Sequence, residues 1–258
     1  MQKESSRRPG ISSRHREQLR LDQLVVRKGF TRSRNKAAAL IMAGEVKVEG
    51  MIIDKPGKRV PVSAAVSLTP RHPGFVSRGG VKLAAALHHF SIPVQGRTFM
   101  DVGSSTGGFT DCLLQHGAEK VFAIDVGYGQ LDWKLRQDHR VEVLERTNIR
   151  NLRPEDFPHA VHGAVIDVSF ISLRLVIPPV SSILLPEAFI IALIKPQFEV
   201  GKGQVGKGGI VRDPVKHREV VDRLSAFSES EGWDVQGCIP SPILGQKGNR
   251  EFLIYLTR

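Results

Sequence analysis

Residues 98–111 read Thr-Phe-Met-Asp-Val-Gly-Ser-Ser-Thr-Gly-Gly-Phe-Thr-Asp, and this stretch decides the fold of the larger part of the chain. The short apolar run that ends at Asp101 is typical of a strand. A glycine-rich turn at 103–108 follows it, and residues 109–116 have helical composition. A strand, a glycine-rich turn and a helix in this order bring backbone N–H groups close to a nucleotide-like ligand. The stretch therefore predicts a binding turn in an α/β domain.

A second carboxylate follows this turn at a suitable distance. The apolar run 121–124 is typical of the next strand, and it ends at Asp125. An acidic residue about 20 residues after such a turn is placed to bind ribose hydroxyls. The two features together predict a pocket for a ligand that contains a ribose.

Strands and helices alternate through this region and predict the fold class. The sequence predicts strands at 98–102, 120–125, 141–144, 163–168, 188–194, 235–239 and 251–256, and helices near 81–89, 107–116, 171–184 and 214–231. The alternation is typical of an α/β domain with a mostly parallel sheet and helices on both faces. Four ionisable residues end apolar runs and are expected at one edge of the sheet, where ligands bind. They are Asp101, Asp125, Asp167 and Lys195.

Composition limits the classes of protein to which the chain can belong. Its 258 residues suffice for one α/β domain and a small extra module. No apolar run reaches the roughly 20 residues that cross a bilayer, which predicts a cytoplasmic protein with no membrane partner. Cys112 and Cys238 fit neither a metal-ligand spacing nor a disulfide framework, so we expect buried thiols and no metal.

The positive charge is concentrated in the first third of the chain. Residues 1–80 hold 17 Lys and Arg against 6 Asp and Glu, whereas residues 81–258 hold 20 of each kind. This asymmetry predicts a module that binds a polyanion beside a nearly neutral body. Residues 1–18 are rich in Ser and Arg and are expected to be a disordered basic tail.

The segment that follows this tail has the pattern of a small folded unit. Apolar residues at helical spacing within 21–25 predict a first helix that Gly29 ends. Thr31 or Ser33 can cap a second helix that runs to about Met42. A β pattern with a turn at Glu49-Gly50 comes next.

This segment resembles the small alpha-L RNA-binding domain of a small-subunit ribosomal protein, pseudouridine synthases and tyrosyl-tRNA synthetases. The resemblance covers residues 19–68 and rests on Arg20-Leu21-Asp22, Ser33-Arg34, Ala43-Gly44 and Val46-Lys47-Val48. It implies contact with the phosphates and grooves of folded RNA. The candidate RNA-binding residues are Arg20, Arg27, Lys28, Arg32, Arg34 and Lys36. The alternative is a basic helical hairpin that packs on its own protein. Residues 69–76, rich in Pro and Gly, predict a linker.

The chain as a whole is similar to the hemolysin A (TlyA) type of ribosomal RNA 2′-O-methyltransferase, a branch related to the FtsJ methyltransferases. The likeness runs from about residue 19 to the C-terminus. The matching stretches are Ser77-Arg78-Gly79-Gly80-Val81-Lys82-Leu83, Ile124-Asp125-Val126-Gly127-Tyr128-Gly129-Gln130-Leu131, Glu145-Arg146-Thr147-Asn148, Val205-Gly206-Lys207-Gly208-Gly209 and Gly248-Asn249-Arg250-Glu251-Phe252.

This resemblance implies a Rossmann-like, S-adenosylmethionine-dependent methyltransferase domain over residues 77–258. It also implies a role for particular residues. The catalytic tetrad would be Lys82, Asp167, Lys195 and Glu251, and the S-adenosylmethionine contacts would be Gly103, Ser104, Gly107 and Asp125, with Asn148 near the adenine. The implied partner is ribosomal RNA within ribosomal subunits.

The chemistry gives Lys195 two alternative roles. A ribose 2′-hydroxyl is a poor nucleophile, so the site must remove its proton or stabilise the developing alkoxide. A lysine can serve either purpose. Each residue also has a structural interpretation: Lys82 as a solvated helix lysine, Asp167 and Lys195 as a structural ion pair, and Glu251 as a solvent-facing strand residue.

Three other functions are consistent with parts of the pattern. An NAD-dependent oxidoreductase uses a similar turn, but the glycines here depart from the G-x-G-x-x-G spacing, and Lys82, Lys195 and Glu251 would have no role. A membrane-active protein would need a span or a basic amphipathic helix, which the sequence does not offer. A non-catalytic RNA-binding assembly factor would not need the complete tetrad.

Overall fold

The computed structural model describes residues 17–258 except 43, 69–73, 202, 207, 246 and 247. The chain divides into two compact units, Met1–Arg71 and His72–Arg258. Most of the expected tail 1–18 therefore lies outside the described residues, and so does most of the expected linker 69–76. Over the described residues, no helix combines the length and the apolar character needed to span a membrane.

The N-terminal unit is a small α+β structure. Its elements are β1 (Gln18–Arg20), α1 (Leu21–Arg27), α2 (Arg34–Met42), β2 (Val46–Val48), β3 (Met51–Ile52), β4 (Arg59–Pro61) and β5 (Val66–Leu68). Strands β3, β2 and β5 form one antiparallel sheet in that order, and β1 pairs with β4. The core contains the predicted apolar residues Leu21, Leu24 and Val25, all fully buried.

Local turn chemistry explains how these elements begin and end. The Ser33 hydroxyl accepts a hydrogen bond from the Lys36 amide at 3.2 Å, so Ser33 rather than Thr31 caps α2. Glu49 and Gly50 have φ of 50° and 78°, the left-handed pair that a tight hairpin between β2 and β3 requires. The predicted turn at Glu49-Gly50 is therefore present.

The C-terminal unit is the predicted α/β structure. Its strands are β6 (Thr98–Val102), β7 (Lys120–Ile124), β8 (Val141–Leu144), β9 (Val161–Ile166), β10 (Leu184–Ile194), β11 (Asp234–Pro240) and β12 (Phe252–Thr257). Its helices are α3 (Gly79–His89), α4 (Gly108–Gln115), α5 (Trp133–Arg136), α6 (Ile177–Ile183), α7 (Pro196–Glu199) and α8 (Pro214–Ser230). The seven strands form one sheet in the order β11-β12-β10-β9-β6-β7-β8. Only the pairings of β12 are antiparallel.

The sheet is buried on both faces, as a mostly parallel sheet must be. All five residues of β6 are buried. Met100 and Val102 belong to one apolar cluster and Phe99 belongs to the other. Side chains alternate between the faces of a strand, so Asp101 lies on the same face as Phe99.

One predicted helix was partly wrong. Residues 171–184 were expected to form a continuous helix, but a 3-10 turn at Leu173–Leu175 precedes the shorter helix α6. Prolines 178 and 179 lack the N–H group that a helix interior needs, and they are tolerated only in the first turn. The α-helix therefore begins at Ile177.

The topology gathers ionisable residues at one edge of the sheet. Asp125, Asp167 and Lys195 each follow directly after β7, β9 and β10, and Asp101 is the penultimate residue of β6. Strand β12 runs in the opposite direction and therefore starts at this same edge, immediately after Glu251. The predicted convergence is thus a consequence of the sheet order.

Candidate active site

Lys195 is fixed by two oxygen atoms of the segment that follows β9. Its Nζ lies 2.5 Å from Oδ1 of Asp167 and donates a hydrogen bond to the Ser169 hydroxyl at 2.9 Å. The Lys195 side chain is 10% exposed and that of Asp167 is 22% exposed. An ammonium group has three N–H donors, so the hydrogen bond to Ser169 does not use all the donors of Lys195.

Lys82 and Glu251 form a second ion pair of the same kind. Lys82 comes from α3, and its Nζ donates to Oε2 of Glu251 at 2.6 Å. The exposed fractions of the two side chains are 11% and 3%. Gly245 makes room for this carboxylate, because a Cβ at Gly245 would overlap the Glu251 carboxyl group. The structural interpretation of Lys82 as a solvated lysine does not fit this burial.

The two ion pairs are neighbours in the sheet. Ile194 pairs with Phe252 at the end of the ladder between β10 and β12. Lys195 directly follows Ile194, and Glu251 directly precedes Phe252. We call Lys82, Asp167, Lys195 and Glu251 the ionic cluster.

The segment after β9 is held by the segment after β10 at three points. Besides the contacts of Lys195, the ring of Phe198 lies 4.9 Å from that of Phe170 between centroids. Glu199 accepts hydrogen bonds from the Ser172 hydroxyl at 2.6 Å and the Leu173 amide at 2.8 Å. These contacts fix the backbone that carries Asp167.

Phe170 is an unusual residue within that segment. Its φ is 64°, a left-handed conformation that is costly for an aromatic residue. Phe170 is 90% exposed, although the preceding residue, Ser169, contacts the buried Lys195. An exposed aromatic residue with a strained backbone conformation therefore borders the ionic cluster.

The glycine-rich turn makes close contacts that explain two of its glycines. Gly103 has φ of 86°, and a Cβ there would lie 2.7 Å from the carbonyl oxygen of Asp167. Gly107 has φ of 92°, and a Cβ there would overlap Leu135. The turn is thus packed against the strand that leads to the ionic cluster. Ser104 is buried, and its amide donates to the Ile124 carbonyl at 3.1 Å.

Asp125 organises two loops at the end of β7. Its carboxylate accepts hydrogen bonds from the amides of Ser105 at 2.8 Å and Gly127 at 2.7 Å. One amide lies in the glycine-rich turn and the other in the loop after β7. Each carboxylate oxygen has further acceptor capacity, which suits hydroxyl groups of a ligand.

Asp101 is completely buried beneath the turn. Its Oδ2 accepts hydrogen bonds from the Thr110 amide at 2.9 Å and the Thr110 hydroxyl at 2.6 Å. Its Oδ1 is buried without a hydrogen-bond partner among the described residues. Burial raises the pKa of Asp101 to about 7, and the charges of Asp167 and Asp125 act in the same direction.

Asn148 has a local role in this structure. Its side chain accepts a hydrogen bond from the Arg150 amide at 3.1 Å and caps the 3-10 turn Ile149–Asn151.

Asn249 holds a glycine-rich segment beside the ionic cluster. It accepts from the Val211 amide at 3.0 Å and donates to the Gly209 carbonyl at 2.9 Å.

The six candidate RNA-binding residues are all exposed in the N-terminal unit. Arg20 and Arg34 converge on Asp22 at 2.9 and 3.1 Å, and Arg27 lies 3.6 Å from Glu17. The role of all six residues in RNA binding stays a prediction.

Sequence reasoning missed several residues of the site. Ser169, Phe170 and Glu199 lie after the predicted strands 163–168 and 188–194. Their spacing gave no sign that they would contact Lys195, Phe198 and Ser172. Their positions two, three and four residues from Asp167 or Lys195 are the only local signal.

Comparison with known proteins identifies both units. Residues 75–258 match the FtsJ-like methyltransferase family and residues 19–66 match the S4 domain. The chain is 47% identical over 238 residues to TlyA of Mycobacterium tuberculosis, named a 16S/23S rRNA (cytidine-2′-O)-methyltransferase, covering 92% of this chain and 89% of TlyA. It is 39% identical to hemolysin A of Brachyspira hyodysenteriae, with coverage of 92% and 99%.

Solved structures agree with these sequence relationships. A candidate hemolysin from Streptococcus thermophilus superposes with a TM-score of 0.74 and 43% identity, covering 94% of this chain and 89% of that one. A protein from Listeria monocytogenes described as a candidate S-adenosylmethionine-dependent methyltransferase is 16% identical and shares the fold, with a TM-score of 0.51 over 69% of this chain and 99% of its own. The expected Rossmann-like methyltransferase sheet with a small N-terminal α+β unit is thus confirmed. The chain belongs to the FtsJ-like methyltransferase family, in the branch that contains hemolysin A and the TlyA proteins, and carries an S4 domain before its methyltransferase domain.

Proposed function

We propose that this protein transfers a methyl group from S-adenosylmethionine to a ribose 2′-hydroxyl of ribosomal RNA. The observation that carries the proposal is the ionic cluster, two buried lysine–carboxylate pairs at the edge of the sheet beside the glycine-rich turn. The 2′-O-methyltransferase name of the TlyA relative supports the same reaction.

The residues around the turn fit a cofactor with a cationic methionine part and a ribose. Asp101 has a buried oxygen without a partner among the described residues, and Asp125 has acceptor capacity beyond its two amide contacts. We therefore assign Gly103, Ser104, Gly107 and Asp125 to cofactor binding. Asn148 remains the candidate beside the adenine. When bound, S-adenosylmethionine supplies a methyl group that its sulfonium centre has already activated.

The ionic cluster then has to make the 2′-oxygen a better nucleophile. Lys195 donates one N–H group to Ser169 and forms an ion pair with Asp167, and an ammonium group has three N–H donors in all. We assign another of its N–H donors to the 2′-oxygen, where it stabilises the negative charge that develops as the 2′-hydroxyl loses its proton. The hydroxyl proton would pass to solvent water, and the bond between the methyl carbon and the sulfonium sulfur would break as the methyl–oxygen bond forms.

The other members of the cluster hold Lys195 in place and set the local charge. Asp167 orients Lys195 directly, and Glu251 neutralises Lys82 beside it. Fixed charges in a site of low solvent exposure act on the transition state without reorganising. This is why both lysines are paired rather than free.

The N-terminal unit supplies RNA binding in this proposal. Six exposed basic residues lie on a domain of the S4 type: Arg20, Arg27, Lys28, Arg32, Arg34 and Lys36. A ribosomal substrate would place the enzyme in the cytoplasm. Deletion of residues 1–68 should retain S-adenosylmethionine binding and abolish modification of ribosomal RNA, whereas full activity of the truncated protein on ribosomal subunits would contradict the division of labour.

Transfer of a labelled methyl group to unmodified ribosomal subunits tests the reaction. The wild type is compared with Lys195→Ala and with Lys120→Ala. Lys120 is a matched control because it pairs with Glu142 at 2.9 Å but lies at the opposite edge of the sheet. We expect alkali-resistant label from the wild type and Lys120→Ala only, since a 2′-O-methyl group blocks cleavage at its own linkage. RNA binding without any label would instead favour a non-catalytic assembly factor.

A further inference from the structure

One carboxylate in the N-terminal unit gathers two arginines from separate elements. Arg20 ends β1 and contacts Asp22 with two groups, Nε at 3.1 Å and Nη2 at 2.9 Å. Arg34 begins α2, twelve residues after Asp22. Its Nη2 donates at 3.1 Å to Oδ2 of Asp22, the oxygen that also accepts from Nη2 of Arg20. A single carboxyl group therefore joins β1, α1 and α2.

Asp22 differs from the two arginines in the exposed fraction of its side chain. The Asp22 side chain is 5% exposed, whereas those of Arg20 and Arg34 are 45% and 55% exposed. The Arg20 and Arg34 guanidinium groups lower the pKa of Asp22 to about 2, so its charge is maintained. Asp22 faces the two arginines from within the unit, and the arginines face solvent.

The unused donors of the two guanidinium groups suit phosphate. A guanidinium has five N–H donors, and Arg20 uses two of them on Asp22 while Arg34 uses one. Gly57 lies against the Arg20 side chain, because a Cβ at Gly57 would be 3.3 Å from Nη1 of Arg20. Arg20 is therefore confined on one side as well as bonded on another.

We propose that Asp22 is a positioning residue for RNA binding that holds Arg20 and Arg34 as one preorganised site for backbone phosphate groups. The inference rests on the proposed function, since it requires RNA as the partner. Free arginine side chains lose conformational freedom when they bind, and a side chain that is already fixed loses less. Fixing both arginines should raise RNA affinity about 10-fold.

If Asp22 acted through its charge alone, it would lower the affinity for RNA instead of raising it. RNA is a polyanion, so removal of a carboxylate from a basic surface should tighten binding if Asp22 contributes only its charge. If Asp22 positions the arginines, its removal should weaken binding although the net charge becomes more positive. The sign of the change therefore separates the two explanations.

The test compares Asp22→Asn with Asp54→Asn, which removes an exposed carboxylate from the same unit. Affinity of the full-length protein for unmodified ribosomal subunits is measured over a range of salt concentrations. We expect Asp22→Asn to bind about 10-fold more weakly and Asp54→Asn to bind as well as or better than the wild type. Equal or tighter binding by Asp22→Asn would overturn the proposal.

A double-mutant cycle distinguishes positioning from a loss of folding. Arg34→Ala removes an exposed side chain and should weaken binding and reduce the salt slope by about one. On an Arg20→Ala, Arg34→Ala background, Asp22→Asn should have no further effect on affinity, because no arginine remains to be positioned. An additional loss there would show a general structural role and would contradict the inference. Failure of the wild type itself to bind ribosomal subunits would count against the proposed function instead.

Discussion

Replacement of Gly103 by alanine tests the close approach between the glycine-rich turn and the ionic cluster. Gly103 has φ of 86°. A Cβ at this position would lie 2.7 Å from the carbonyl oxygen of Asp167, 3.0 Å from its carbonyl carbon and 3.2 Å from the amide of Val168. These neighbours are backbone atoms, so they cannot rotate away as a flexible side chain would.

Two costs add at Gly103. A left-handed conformation costs an alanine about 1–2 kcal/mol relative to glycine. Forcing packed backbone apart costs about another 1–3 kcal/mol. Gly129 is a matched control, because its φ is 71° and a Cβ there would meet nothing within 4 Å. Gly129→Ala should therefore carry the first cost alone.

Denaturant unfolding of the two variants measures the difference. We expect Gly103→Ala to lower the free energy of unfolding by about 1–3 kcal/mol more than Gly129→Ala. The rate of methyl transfer at saturating cofactor should also fall about 100-fold in Gly103→Ala, because displacement of Asp167 moves the partner of Lys195. Equal destabilisation and equal rates in the two variants would refute this account of the turn.

Three further substitutions have defined outcomes. Asp101 has a pKa of about 7 in the folded protein. Its contribution to the free energy of unfolding is therefore complete below about pH 4 and is lost as the pH rises through 7, a loss of up to about 4 kcal/mol. Denaturant titrations over this pH range should show that Asp101→Asn lacks the loss. Glu251→Gln leaves the buried charge of Lys82 without a carboxylate and should cost about 3 kcal/mol in the same assay, together with most of the methyl transfer. Phe170→Gly removes an aromatic residue from a left-handed conformation, so the free energy of unfolding should stay equal or rise by about 1 kcal/mol. Methyl transfer to ribosomal subunits should fall, because the ring contact with Phe198 that helps to fix the backbone of Asp167 is lost. A variant that is less stable and fully active would contradict this reasoning.

The sequence predicted the strands of the large unit well because their signal is local. Most of the apolar runs end at a polar or glycine residue, and three of those ends place Asp125, Asp167 and Lys195 at one edge of the sheet. The helix near 171–184 was placed too early, since prolines 178 and 179 shift its start to Ile177. The short helices α5 and α7 span four residues each, too few for a periodic pattern.

The contacts of the site depend on tertiary structure and could not be read from spacing. Lys82 and Glu251 are 169 residues apart, and only the family resemblance suggested that they act together. The contact between Lys195 and Ser169 arises because β9 and β10 are neighbours in the sheet. The ion pairs of Asp22 with Arg20 and Arg34 likewise follow from the packing of α1 and α2.

Nucleoside analysis of the modified RNA tests the central claim most directly. Unmodified ribosomal subunits are incubated with S-adenosylmethionine and either the wild type or Lys195→Ala, and the RNA is digested to nucleosides for mass spectrometry. We predict that the wild type produces a nucleoside with one additional methyl group on its ribose and that Lys195→Ala does not. A methyl group found on a base, or equal ribose methylation by the two proteins, would contradict the assignment of this site.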